Sequence, residues 1–207
     1  TAPNFCMLLR KHIGNGRITS ISQPKLERII SLHIEHLNEL GDLCEKKLII
    51  EIMGKHSNII FCDDKDMILD SIKHVSAQMS SVREVLPGRT YFIPDTMEKS
   101  DPLSVDVSSF MEILRLKPVP LGKAIYTSFT GISPVIAEDI CFLAGLNSQL
   151  PASVLDEDTF LHLFRQFSYY MDDIRCCRFH PCIYYDGTSP KDFGAVALSH
   201  FSNYTKQ

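Results

Sequence analysis

Leu26-Glu27-Arg28 sets a carboxylate beside a guanidinium at the start of an apolar stretch. Arg28 is suited to clamping a phosphate or stacking on a base, and Glu27 to orienting it or accepting from a base amine. Taken alone, the two residues read more plainly as a surface ion pair. Lys55-His56-Ser57-Asn58 lies between two further apolar runs, so its side chains should converge at one sheet edge. Lys55 and His56 suit phosphate and Asn58 a base edge, although an ordinary hairpin loop has the same composition. Residues 130–140 read as the turn and second helix of a helix-hairpin-helix. Gly131 suits a tight turn, Ile132 follows it, Ser133 offers an N-cap oxygen, and Pro134 fits the first helical position. Such a helix start can hold a phosphate.

Other constellations carry less. Cys176, Cys177, His180 and Cys182 lack a second paired knuckle and match none of the usual zinc spacings, so no metal is expected. Asp63-Asp64 and Asp172-Asp173 read as solvated turns and helix faces. No glycine-rich phosphate loop of Walker or Rossmann type is present. The chain is therefore expected to be a binding protein, not an enzyme, and to need no cofactor.

The elements that must position these residues divide the chain in two. Helical spacing over residues 5–13 ends at Gly14-Asn15-Gly16. Strands are expected over 17–22, 28–37, 45–53, 58–62 and 67–74. Ile30, Leu32 and Ile34 alternate with Ile29, Ser31, His33 and Glu35, which predicts antiparallel pairing with the second set on a solvated face. Pro87-Gly88-Arg89 and Pro94-Asp95 break the pattern, and residues 99–102 read as a linker. Helices are expected over 107–116, 119–129, 134–144 and 157–173, then short strands over 182–185 and 195–198. This is an α+β chain: an antiparallel β-rich domain over 1–100, a helical domain over 101–180 and terminal strands over 181–207.

Composition bounds the partners. The 207 residues are 44% hydrophobic and 22% charged, an ordinary globular balance, and no apolar run is long enough to span a bilayer. Net charge is −4, which argues against a general nucleic-acid coat. Residues 1–100 carry 13 basic and 13 acidic side chains; residues 101–207 carry 8 and 12. The hairpin at Gly131 thus sits in the acidic half, which favours a domain-organising role over autonomous phosphate binding. Seven scattered cysteines, two of them adjacent, favour a reduced, cytoplasmic compartment.

Five motifs in order resemble the NFACT family: Phe5-Cys6-Met7-Leu8-Leu9-Arg10-Lys11-His12, Asn38-Glu39-Leu40-Gly41-Asp42, residues 52–60 (IMGKHSNII), Val85-Leu86-Pro87-Gly88 and the turn at Gly131. The resemblance covers essentially the whole chain. It implies a first domain similar to the N-terminal domain of formamidopyrimidine-DNA glycosylases, followed by a helix-hairpin-helix domain. Glycosylase chemistry is not implied, because no N-terminal Pro-Glu pair is present. It further implies a fragment of a longer protein, without the family's first strands, coiled coil and C-terminal RNA-binding domain. Family function is to bind large ribosomal subunits obstructed by peptidyl-tRNA and to recruit alanyl-tRNA for C-terminal alanine tailing. The family's tRNA-recruiting Asp-Arg pair falls on Glu27-Arg28, where Glu keeps the charge and adds a methylene. Lys55, His56 and Asn58 are the expected supports. The family's fibronectin- or fibrinogen-binding names imply a rival role as a surface adhesin.

Overall fold

A computed structural model describes residues 3–93 and 99–206. The chain forms two compact units, Thr1–Met97 and Glu98–Gln207. Pro94-Asp95 lies outside the described residues.

The first unit opens with helix α1 (Asn4–Ile13), whose last turn carries Arg10, Lys11 and His12, where cations favour the helix dipole. Gly16 follows where the chain runs tight against the sheet: a Cβ there would meet Ile34 Cγ2 at 2.8 Å. A five-stranded antiparallel meander comes next, in order β1 (Arg17–Ser22), β2 (Ile29–Leu37), β3 (Leu43–Glu51), β4 (Asn58–Asp63) and β5 (Ile68–Ser71). Strands β2 and β3 pair over their full length, from Ile29 opposite Glu51 to Leu37 opposite Leu43.

The expectation of one solvated face is corrected here. Ile29, assigned to that face by alternation, is 1% exposed and packs with Ile49, Ile60, Cys62 and Ile68. The chain after β5 covers them with Val75, Val85 and Tyr91, held by paired N–H···O bonds between Val75 and Val85 and by Ile68 N–H to Arg89 O. A covering segment distant in sequence has overridden the local polar pattern. On the other face α1 sits over part of the sheet, with His12 against the buried Phe61 ring.

The second unit begins inside the supposed linker. Ser100 bridges to Phe129 and Pro102 is buried, so residues 99–102 are packed chain. Helices α2 (Val107–Arg115), α3 (Leu121–Ser128), α4 (Pro134–Leu143) and α5 (Glu157–Arg175) surround a core containing Phe110, Phe129 and Phe167, whose ring centroids lie 4.8–5.4 Å apart. Such offset and tilted ring pairs add to the area they bury. A small antiparallel sheet then forms from β6 (Cys182–Asp186), β7 (Ser189–Gly194) and β8 (Thr205–Lys206). The strand expected over 195–198 is absent. Gly187, at φ 61°, makes the turn so tight that pairing resumes at Ser189, and Pro190 is tolerated because β7 is an edge strand. Asp139 of α4, fully buried, clamps this sheet to the helices. It accepts from His200 N–H and lies 2.7 Å from His200 Nδ1, and it accepts from the Tyr170 hydroxyl.

Candidate nucleic-acid interface

Strand register gathers the site. Ile29, Glu51 and Asn58 lie side by side across β2, β3 and β4, so the bend before β2 and the β3–β4 turn share one end of the sheet. Ile52 N–H donates to Arg28 O at 2.8 Å and locks the two together. Arg28 is exposed and Glu27 half-buried. They form no ion pair with each other, and neither side chain has a hydrogen-bonding or ionic partner among the described residues. Their backbone is set by the turn from Pro24, with Lys25 at φ 51° and Gln23 Nε2 donating to Glu27 O at 2.8 Å.

Lys55 and His56 sit exposed on a single 3₁₀ turn (Gly54–His56), where Gly54 takes φ 58° and Ser57 Oγ accepts Met53 N–H at 2.9 Å. Asn58 does something else. It is 7% exposed; its amide donates to Lys73 O at 2.9 Å and its Oδ1 accepts Lys73 N–H at 3.0 Å. Those bonds occupy the groups that would read a base, so Asn58 is a brace and not a base reader. What it braces is Lys73, an exposed cation whose Nζ reaches Lys55 O at 3.3 Å. Sequence reasoning missed Lys73 because it stands fifteen residues from Asn58 and no local pattern ties them.

Beneath this end lies a buried ion pair that sequence reasoning also missed. Glu51 is fully buried at the side chain and accepts two bonds from Arg83 Nη2, at 2.6 and 2.5 Å, and one from the Tyr91 hydroxyl at 2.9 Å. Burial alone would lower the Arg83 pKa, but the bonds and charge of Glu51 outweigh it and raise it. Burial, then the neighbouring Glu51 charge, pushes the Tyr91 hydroxyl upward. The signal available in the sequence was a lone acid, Glu51, ending an apolar run. With Glu51 neutralised, the exposed charges at this end are Lys25, Arg28, Lys55 and Lys73, with Glu27 as counter-charge and His56 beside them. That is a surface fit to hold a polyanion.

The turn at Gly131 sits in the second unit. Gly131 takes φ 78°, Ile132 is 6% exposed within the core, and Ser133 Oγ accepts Ile136 N–H at 3.3 Å. Ser133 O accepts Ala137 N–H and Pro134 has none, so little donor capacity remains for a phosphate. The cysteine group does not assemble either. Cys176 and Cys177 are exposed, whereas Cys182 is buried with Sγ donating to the Tyr184 hydroxyl. Among the described residues no cluster of His, Cys, Asp and Glu is arranged for a metal. Burial pushes the Cys62 and Cys141 thiols up to about 12, which removes them as nucleophiles.

A family model described as NFACT N-terminal and middle domains matches residues 1–207. The chain belongs to this family. A relative named Rqc2 homolog RqcH, from Bacillus subtilis, is 43% identical over 156 residues, which are 74% of this chain and 27% of that protein. The chain thus spans about a quarter of that relative's length. Among solved structures, the fibrinogen binding protein from Staphylococcus aureus superposes with a TM-score of 0.80 and 26% identity, covering 100% of this chain and 72% of that one. The N-terminal part of the fibronectin/fibrinogen-binding protein from Streptococcus suis gives 0.71 and 28%, covering 96% and 66%. This chain is accordingly α+β, an antiparallel five-stranded sheet followed by a helical unit. Among the described residues no helix is long and apolar enough to cross a membrane.

Proposed function

We propose that this NFACT chain is the tRNA-facing part of a cytoplasmic ribosome quality-control factor, which binds obstructed large ribosomal subunits and recruits alanyl-tRNA for alanine tailing. The observation that carries this is the sheet end where exposed Lys25, Arg28, Lys55 and Lys73 gather, with half-buried Glu27 as counter-charge, in a chain whose net charge is −4. A phosphate backbone is the partner such a patch fits. Arg28 grips the tRNA backbone or stacks on a base, and Glu27 accepts from a base amine or orients Arg28. Lys55, His56 and Lys73 hold flanking phosphates, while Asn58 braces Lys73. The first unit serves as a glycosylase-like scaffold without glycosylase chemistry. The second acts as a helix-hairpin-helix domain facing the ribosome.

The test is alanyl-tRNA binding across a salt series, comparing the full-length protein with Arg28→Ala and Lys73→Ala. Each substitution should weaken binding and make the salt slope shallower by about 1, the value for one lost phosphate contact. Unchanged affinity and slope for Arg28→Ala sink the assignment.

The structural neighbours, named for binding fibrinogen or fibronectin, favour a second reading, adhesion to those proteins. Cell fractionation separates the two: recovery mainly on the outer surface supports adhesion, and recovery with ribosomes supports quality control.

A further inference from the structure

The hairpin tip at the sheet end opposite the cationic one is apolar and acidic, although Lys11, Arg17 and Lys46 stand behind it. Leu37 and Leu43 face each other across β2 and β3 and are 67% and 66% exposed; Leu40, at the tip of the hairpin between them, is 87% exposed. Residues 37–45 hold Glu39, Asp42 and Glu45 and no lysine or arginine. Lys11 reaches Glu39 only at 3.6 Å, with both side chains more than half exposed.

This tip is built, not loose. Asn38 Oδ1 accepts both Leu40 N–H and Asp42 N–H at 2.9 Å. Asn38 N–H donates to Asp42 O at 2.9 Å, Gly41 N–H to Asn38 O at 3.0 Å, and Gly41 takes φ 86°. Two backbone bonds and two to the Asn38 side chain therefore hold the apolar tip in water, so an incoming partner has little ordering entropy to offset.

We infer that the Leu37–Leu40–Leu43 tip docks a lysine- and arginine-rich protein surface with an apolar recess, carried by the large ribosomal subunit. The inference rests on the quality-control reading above. Three leucines supply the desolvated centre of a contact, and Glu39 and Asp42 supply a rim complementary to cations. RNA is disfavoured because the three acids repel phosphate and the tip has no aromatic ring on which a base could stack. The same acids disfavour an anionic bilayer. One sheet thus presents RNA chemistry at one end and protein chemistry at the other.

The test is co-sedimentation of the full chain with purified Bacillus subtilis large subunits and, separately, with protein-stripped large-subunit rRNA. Wild type is compared with Leu40→Ser, Leu37→Ser/Leu43→Ser and Arg28→Ala. Leu40→Ser should weaken subunit binding about ten-fold, as loss of an interface anchor does, and leave naked rRNA and alanyl-tRNA binding unchanged. Its Tm should match wild type, since the side chain is exposed. Arg28→Ala should show the converse, losing alanyl-tRNA and keeping the Leu40-dependent contact. Unchanged subunit binding by both leucine variants overturns the docking proposal while leaving the tRNA reading intact. Equal loss on naked rRNA, or a Leu40-dependent contact only with a second copy or with anionic vesicles, overturns it too. Failure of wild type to sediment with subunits overturns the quality-control reading and this one together.

Discussion

Arg28 and Asn58 show how differently two polar residues of one sheet end can be used. Arg28 is exposed and has no partner among the described residues, which leaves its guanidinium fork for a ligand. Asn58 has spent its amide on the backbone of Lys73. Glu51 goes further, buried with all its charge answered by Arg83 and its remaining oxygen capacity by Tyr91. Removing one member of such a pair strands the other charge in a dehydrated place. Glu51→Ala should therefore cost about 3–5 kcal/mol of first-unit stability, read from denaturant unfolding. Arg28→Ala should stay within about 0.5 kcal/mol of wild type in the same measurement. A Glu51→Ala protein as stable as wild type would show that the pair does not hold the sheet end together.

At the scale of elements, α2, α4 and α5 of the second unit start where a side chain satisfies a free N–H group, whereas α3 starts after Pro120 without one. Asp106 accepts Ser109 N–H and Asp156 accepts Thr159 N–H, both at 2.8 Å, capping α2 and α5. The backbone bond from Ser109 holds the Asp106 carboxyl below its ordinary 3.8; the hydroxyl and backbone N–H of Thr159 do the same for Asp156. A lowered folded-state pKa means the unfolded chain takes up the proton first. Cap stabilisation is therefore complete above about pH 5 and is lost as pH falls through 3.8 toward the lower folded-state value. Asp106→Asn/Asp156→Asn keeps both acceptors and removes the titration. Its stability should fall less steeply than that of wild type between about pH 4 and pH 2 in urea unfolding. Parallel acid limbs would count against the caps as the cause. Elements of this kind were legible in advance: Ser133-Pro134 announced α4. The strand expected over 195–198 was not, because a tight turn at Gly187 advanced the pairing by several residues.

At the scale of the whole molecule, each unit has its own core. The first is centred on Ile29, Ile49, Ile60 and Ile68, and the second on Phe110, Phe129, Phe160 and Phe167. Independent cores predict independent unfolding. Residues 98–207 expressed alone should unfold cooperatively, with a midpoint matching one of two transitions of the full chain by circular dichroism. A single transition for the full chain and a non-cooperative melt for the piece would show instead that the units depend on each other.

The order and type of most elements, and the motifs that mark the NFACT family, were determined by the sequence alone. Helical spacing, caps and turn residues act within a few positions, so they can be read from the chain without knowing what packs against it. Only the tertiary structure decided which polar residues remain free. The register across β2, β3 and β4 brought Arg28, Lys55 and Lys73 to one end and put the leucine tip at the other. The segment after β5 buried Ile29 beneath Val85 and Tyr91 and neutralised Glu51 with Arg83. Both depend on contacts between residues tens of positions apart, whose energies are set by burial and pairing and leave no periodic trace in the chain.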